Sequence, residues 1–142
     1  MTIRHTAALL LLSVLATALL VGCGGSQTLL VTTTPPGAEV QLQLKGQREY
    51  KASVDGVGST SSRAGRFEDE FFTLGNSPAS HTFELNITES TSSVEGIANE
   101  QVKRSYDSGT IRVSKAGYKT IDREVKFSGG ELKIDLTLEP ER

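Results

Sequence analysis

The chain has 142 residues and a formal net charge of −2, with 15 basic and 17 acidic residues spread along the sequence. A weakly acidic chain with interspersed charges lacks the basic patch that nucleic-acid binding requires, so this class of partner is excluded. The single cysteine excludes a disulfide bond within the chain.

The N-terminal segment has the proportions of an export signal. Arg4 and His5 form a short basic start, and residues 7–21 are apolar apart from Ser13 and Thr17. A basic start followed by about 7–15 apolar residues is typical of a secretory signal peptide, whereas a membrane-spanning helix needs about 20 apolar residues. The alternative is an uncleaved anchor helix, and the proportions favour the cleaved signal.

The apolar run ends in Leu20-Val21-Gly22-Cys23, which resembles the lipobox of bacterial lipoproteins. The resemblance implies cleavage between Gly22 and Cys23, so that residues 1–22 are a lipoprotein signal peptide. It also implies that the Cys23 sulfur carries a diacylglycerol and that its amine carries a fatty acid such as palmitate. The residue after Cys23 is glycine, where aspartate would imply the inner membrane, so the resemblance favours the outer membrane of the cell envelope, on its periplasmic or surface face.

A short segment separates this anchor from the first predicted strand, which begins near Leu29. The five residues 24–28 reach at most about 17 Å when they are extended. We therefore expect a lipidated tether at 23–28 and a single domain at 29–140 that lies close to the lipid headgroups.

Two-residue alternation of apolar and polar side chains dominates the domain. Successive side chains of a strand point to opposite faces, so each alternating segment indicates a strand with one buried and one wet face. Short strands of this kind, broken by Gly, Pro and Asn, predict an all-β fold, an antiparallel sandwich or barrel. The segments are 40–44, 83–87, 111–113 and 132–138.

The middle of the chain is less regular. Residues 48–54 and 66–74 suit a hairpin around a loop at 55–65 that is rich in Gly and Ser. Residues 88–108 are ambiguous, because Ser92 and Glu95 match a capping box while a Ser/Thr run and a glycine weaken a helix. We expect a loop with one short helix there.

Two turns follow from the backbone chemistry of proline and glycine. Pro35 and Pro36 remove two amide donors, so strand pairing should pause there, and Gly37 then permits a turn that other residues resist. Lys115-Ala116-Gly117 suits a type II turn, with Gly117 at the position that requires positive φ.

The same two segments resemble the PEGA domain, a small β-domain named for a Pro-Glu-Gly-Ala motif. Here residues 35–38 read Pro-Pro-Gly-Ala, and Lys115-Ala116-Gly117-Tyr118 is similar to the family's strand that runs into a Gly-Tyr turn. The resemblance implies a small antiparallel β-sandwich with a hairpin near Gly46. The family's Gly-x-Thr-Pro step has its nearest match at 75–78, so most of 47–106 would be a long central insertion.

Residues with catalytic or metal-binding chemistry are few. His81 shares a strand face with Phe83 and Leu85 and lacks a nucleophile and an orienting partner, which indicates a structural histidine. The run 68–70, Glu-Asp-Glu, is predicted to be strand, so its carboxylates alternate faces and do not converge on a cation. We therefore predict no catalytic, cofactor or metal-binding residues and no enzymatic activity.

These features favour a lipid-anchored, non-catalytic binding or accessory module whose loops contact an envelope protein or glycan. The alternative is a structural subunit of a membrane-bound envelope assembly, held by lateral pairing of sheets. An exposed, uncharged edge strand would favour the alternative.

Substitution of the lipobox cysteine tests the anchor. Cys23→Ser should block acylation and leave an unprocessed precursor or a soluble product. Three acyl chains hold a protein on the membrane permanently, and the variant would carry none. Mass spectrometry of the wild-type protein should find an N-terminal, acylated Cys23. Wild-type protein that retains residues 1–22, or an unmodified Cys23, would contradict the prediction.

Overall fold

The computed structural model of the chain describes residues 25–54, 60–92 and 98–142. These residues form an all-β fold of packed sheets, which confirms the predicted fold class. The nine strands are β1 (Ser26–Thr34), β2 (Glu39–Val54), β3 (Thr60–Glu68), β4 (Phe72–Asn76), β5 (Ala79–Glu84), β6 (Asn86–Ser92), β7 (Ala98–Ser114), β8 (Ile121–Lys126) and β9 (Gly130–Thr137).

The predicted signal peptide at 1–22 and Cys23 lie outside the described residues. Within the described ranges, the fold contains no helix that is long and apolar enough to cross a membrane.

The strands form two sheets. One has three strands in the order β5-β1-β9, and β1 pairs in parallel with β9. The other is built on the long antiparallel pair β2–β7. At one end of this pair β4 joins β2 and β8 joins β7, and at the other end β3 joins β2 and β6 joins β7. All pairs except β1–β9 are antiparallel.

The core lies between the three-stranded sheet and the β4/β8 end of the long sheet. Alternate residues of β1, β2, β7 and β9 point into it, as the predicted two-residue period requires. Burial of a side chain of this size contributes about 1.5–3 kcal/mol. The members with no exposed surface are Leu29, Val31, Ala38, Val40, Leu42, Ile111 and Val113.

Both predicted turns are confirmed. β1 ends before Pro35, and Gly37 has a φ of +88°. The Lys115 carbonyl accepts a hydrogen bond from the Tyr118 amide at 3.0 Å, and Gly117 between them has a φ of +82°. A residue with a Cβ is strained at such φ values, so glycine is required at both turns.

A buried serine fastens the first of these turns. Ser77 is 4% exposed, and its Oγ accepts hydrogen bonds from the amides of Gly37 and Ala38, both at 3.1 Å. Its hydroxyl also bonds to Thr33 Oγ1, which in turn donates to the Pro35 carbonyl. The segment 75–78 therefore lies directly beside the Pro-Pro-Gly-Ala turn.

The first strand begins earlier than predicted, at Ser26 instead of near Leu29. Gln27 is 2% exposed, and its side-chain amide donates to the Gly130 carbonyl at 2.9 Å while its oxygen accepts from the amides of Ser128 and Gly129. A polar side chain can occupy a buried position when its hydrogen bonds are satisfied. The tether predicted at 23–28 is therefore too long, because residues 26–28 belong to the sheet.

The middle of the chain differs most from expectation. β2 and β3 form the predicted hairpin, but β3 already begins at Thr60, so most of the loop predicted at 55–65 is strand, and 55–59 lie outside the described residues. In place of the loop with one short helix predicted within 88–108, residues 86–92 and 98–114 are strands that pair with each other, and 93–97 lie outside the described residues. The strand predicted at 83–87 is interrupted at Leu85, where the chain passes from one sheet to the other.

No hairpin turn occurs at Gly46, and β2 continues to Val54. Lys45 pairs with Ser108 but Gly46 pairs with Tyr106, so Asp107 is an extra residue that forms a β-bulge. A Cβ on Gly46 would lie 1.9 Å from the Ser105 carbonyl oxygen. Glycine at this position therefore permits the close approach of β7. The predicted insertion at 47–106 contains β4 and β5 of the sandwich as well as the strands beyond the bulge.

Alanine substitution at this bulge tests the packing. Gly46→Ala should lower the free energy of unfolding by about 1–3 kcal/mol, because backbone atoms must move to admit the methyl group. Gly65→Ala is the control, since a Cβ there meets nothing within 4 Å. Chemical denaturation of the two variants should separate them, and equal midpoints would contradict the bulge geometry.

Candidate functional site

The candidate site is the part of the long sheet beyond Gly46, which we call the distal sheet. It consists of β3, residues 46–54 of β2, residues 98–106 of β7, and β6, in the order β3-β2-β7-β6. At about 3.4 Å per residue it extends roughly 30 Å from the bulge. Most of its described side chains are exposed, because no second sheet formed by the described residues covers it.

The strand register assigns its side chains to two faces, since residues directly opposite each other share a face. One face continues the core-facing side of β2, and we call it the aromatic-basic face. The opposite face is the polar face. The aromatic-basic face includes Arg48, Tyr50, Arg63, Phe67, Ile87, Val102, Arg104 and Tyr106, together with two carboxylates, Glu89 and Glu100. The polar face includes Gln47, Glu49, Lys51, Ser62, Arg66, Thr88, Ser90, Gln101, Lys103 and Ser105.

Aromatic rings close the end of the core where the distal sheet begins. Phe67 and Tyr106 flank Gly46 on the neighbouring strands, and their ring centroids lie 5.6 Å apart. Tyr106 also meets Phe83 of the three-stranded sheet, with centroids 6.4 Å apart. Because glycine has no side chain, the two flanking rings can meet over it. The three-stranded sheet therefore lies on the same side of the long sheet as the aromatic-basic face.

His81 belongs to the same aromatic row. Its ring stacks on Phe83 with centroids 6.0 Å apart and meets the edge of Phe72 at 5.5 Å. The predicted sharing of a face with Phe83 is confirmed. The surroundings of the imidazole are aromatic, which gives His81 a packing role.

Beyond this cluster, the aromatic-basic face combines guanidinium groups with aromatic and apolar side chains. The Arg48 guanidinium lies 5.0 Å from the centre of the Phe67 ring, a cation–π contact. Arg48 is directly opposite Arg104, a like-charge pair that is unfavourable in the absence of an anion. Arg104 has Glu89 at 3.9 Å, whereas within the described ranges no carboxylate lies within 4 Å of Arg48 or Arg63.

A shallow groove of about 190 Å³ crosses this face above Gly65. Its walls include Arg48, Tyr50, Arg63 and Phe67, and its floor is open because Gly65 has no side chain. A hydrogen bond to Glu100 raises the pKa of the Tyr50 hydroxyl, and it places the Glu100 carboxylate beside the groove. The groove can thus offer two cations and an aromatic edge to an anionic group.

The polar face has a different character. It carries hydroxyl and amide side chains and an ion pair between Lys51 and Glu49 at 3.3 Å. A depression of about 260 Å³ lies on it, lined by Glu49, Lys51, Thr88, Gln101 and Lys103. Such a surface can donate and accept many hydrogen bonds but offers little apolar area for burial.

An ion pair fastens the polar side of the sheet at the bulge. Arg66 of β3 donates two hydrogen bonds to the carboxylate of Asp107, at 3.0 and 3.1 Å. Asp107 also accepts a bond from Ser108 Oγ at 2.7 Å. The Arg66 guanidinium, followed by the Ser108 hydroxyl, lowers the pKa of the Asp107 carboxyl below its usual value.

The residues predicted to carry chemistry do not meet at one place. Gly22 and Cys23 lie outside the described residues. The strand predicted across 68–70 is wrong, because β3 ends at Glu68 and the next three residues cross to β4. Within the described part of the chain, no group of His, Cys, Asp and Glu side chains could hold a metal ion.

The comparisons with known proteins identify no relative. No protein-family model matches the chain, and no curated protein and no solved structure matches it.

The ion pair at the bulge predicts a pH-dependent contribution to stability. A carboxyl whose pKa is lower in the folded than in the unfolded state stabilises the fold above its unfolded pKa, about 3.9. This contribution disappears as the pH falls through the folded pKa. Asp107→Asn should therefore destabilise the fold slightly at pH 7, and the difference from wild type should shrink below about pH 4. Thermal melts across this pH range measure it, and a difference that stays constant down to pH 2 would contradict the assignment.

Proposed function

We propose that the chain is a lipid-anchored lipoprotein of the cell envelope that acts as a non-catalytic binding or accessory module. In this proposal Cys23 carries the lipid, the sandwich is the scaffold, and the distal sheet contacts an envelope protein or glycan. The observation that carries the proposal is the distal sheet itself. It exposes two faces and two edges that take no part in the hydrophobic core.

The core is already closed without this extension. The residues with no exposed surface belong to β1, the start of β2, the turn before it and the end of β7, all on the sandwich side of the bulge. Long additions to a compact domain that lack a core of their own are commonly functional. The polar face suits a partner that is recognised by hydrogen bonds, such as a glycan or the backbone of a protein.

The PEGA resemblance gains support from the turn around Ser77. The family's Gly-x-Thr-Pro step has its counterpart here at 75–78, far from the Pro-Pro-Gly-Ala segment in sequence. In the fold, Ser77 hydrogen-bonds to the amides of Gly37 and Ala38. We therefore propose that a PEGA-like sandwich underlies the domain and that the distal sheet is this chain's elaboration of it.

The alternative, a structural subunit of an envelope assembly, is favoured by the outer edge of β6. This seven-residue strand contains one charged residue, Glu89, and no proline, and six of its side chains are exposed. Natural edge strands are usually protected by charge or proline against pairing with another chain. β6 therefore offers an edge to which a neighbouring subunit could add a strand.

Removal of the distal sheet tests the proposed function. Arg48 pairs with Gly65 and Ile87 pairs with Arg104, so residues 49–64 and 88–103 can each be replaced by Asn-Gly without loss of register. The shortened protein should fold and remain membrane-attached, because the core and Cys23 are unchanged. Cross-linking in intact cells should capture a partner with the wild type and lose it with the shortened protein.

The same cross-linking experiment separates the two candidate functions. A binding module is captured with a different protein or a glycan, whereas a subunit held by edge pairing gives a regular series of covalent oligomers of this chain. An identical capture profile for the wild-type and shortened proteins would contradict both.

A further inference from the structure

We infer that the aromatic-basic face of the distal sheet lies on the anionic headgroups of the membrane that holds the anchor. The inference rests on the acylation of Cys23 proposed above. It adds an orientation to that proposal: one face of the distal sheet is turned to the lipid, and the polar face is turned away from it.

The N-terminal segment leaves the sandwich at Gly25. The Gly25 carbonyl accepts a hydrogen bond from the amide of Leu85, the residue that links β5 to β6. The Leu85 carbonyl in turn accepts a bond from the Tyr106 amide at the bulge. Gly25 therefore lies where the three-stranded sheet ends and the distal sheet begins.

Gly25 lies on the aromatic-basic side of the long sheet. Ser26 pairs with Glu84 in the three-stranded sheet, and Phe83 of that sheet contacts Tyr106 on the aromatic-basic face. The chain thus emerges on the aromatic-basic side of the long sheet and not on the polar side.

Only a short stretch of chain separates Gly25 from the proposed anchor. Cys23 is two residues from Gly25, a distance of at most about 7 Å. The proposed lipid on Cys23 therefore holds the start of the distal sheet close to the headgroups. The aromatic-basic face extends from this point, so it is the surface that the anchor brings to the headgroups.

The composition of this face fits a lipid surface. Arginine and tyrosine suit a membrane interface, where the charged or polar end stays at the headgroups while the apolar part is buried. Arg48 and Arg63 have no carboxylate within 4 Å among the described residues and can bind lipid phosphates. Val54 is 36% exposed and shares the face with Val102. The same face also carries Glu89, beside Arg104, and Glu100, so Arg48 and Arg63 are its cations available to phosphate. Among the described residues, the polar face carries three cations, Lys51, Arg66 and Lys103, but no aromatic or large apolar side chain.

A single tryptophan can report the orientation, because the chain has none of its own. The acylated full chain with Tyr50→Trp is placed in vesicles of phosphatidylethanolamine and phosphatidylglycerol whose acyl chains are brominated near the headgroups. Its emission should be largely lost. The matched control is Glu49→Trp, the adjacent residue on the polar face, whose emission should persist. Val102→Trp with Gln101→Trp as its control repeats the comparison on the neighbouring strand.

The outcomes distinguish the orientation from the anchor. Vesicle-bound, acylated protein in which both tryptophans of a pair are quenched equally, or neither is quenched, would overturn the orientation while the proposed lipoprotein stands. A Cys23 that mass spectrometry shows to be unmodified would overturn both.

Charge is tested in the same vesicles. Arg48→Gln combined with Arg63→Gln should reduce the quenching of the Tyr50→Trp reporter, as should replacement of phosphatidylglycerol by phosphatidylcholine. Lys51→Gln combined with Lys103→Gln, a matched loss of two cations from the polar face, should leave it unchanged. Equal effects of the two pairs would contradict a role for the arginines in headgroup binding.

Discussion

The hydrogen-bonded ladder between β2 and β7 is the interaction on which the rest of the structure depends. Along its first half, from Glu39 to Lys45, one face is buried against the three-stranded sheet. At Gly46 the bulge admits an extra residue and increases the local twist, as bulges do. Beyond it the same ladder continues without a core beneath it. One pair of strands therefore builds both the scaffold and the surface proposed to function.

An uncovered sheet needs other sources of stability. In the distal sheet β2 and β7 are central strands, so their backbone groups are paired on both sides. Among the described strands of this sheet, β3 and β6 form the edges. Four strands exceed the two-stranded hairpin that is marginal in water. The rings of Phe67 and Tyr106 and the Arg66–Asp107 ion pair join the extension to the sandwich at the bulge. This arrangement leaves the polar face and the β6 edge available to a partner when the other face lies on lipid.

The sequence predicts the sandwich well and the distal sheet poorly, for physical reasons. Strands at 40–44, 111–113 and 132–138 show alternation because one of their faces is buried, and Gly37 and Gly117 identify turns because only glycine accepts their φ. The strand β6 shows no alternation because neither of its faces is buried. In β7 the core-facing residues have even numbers before the bulge at Asp107 and odd numbers after it. A two-residue pattern therefore does not run unbroken along the whole strand. The sequence does not show that Gln27 is a buried strand residue, because the hydrogen-bond partners that allow its burial lie about 100 residues away in the chain.

Amide hydrogen exchange is the most direct test of the continuous ladder. If β2 and β7 remain paired beyond the bulge, amides at 47–53 and 99–105 should exchange slowly, because each is bonded to one neighbouring strand or the other. On the edge strand β3, only alternate amides should be protected. Exchange of the amides at 47–53 and 99–105 at the rate of an unfolded peptide, with protection confined to 39–45 and 108–114, would contradict the account.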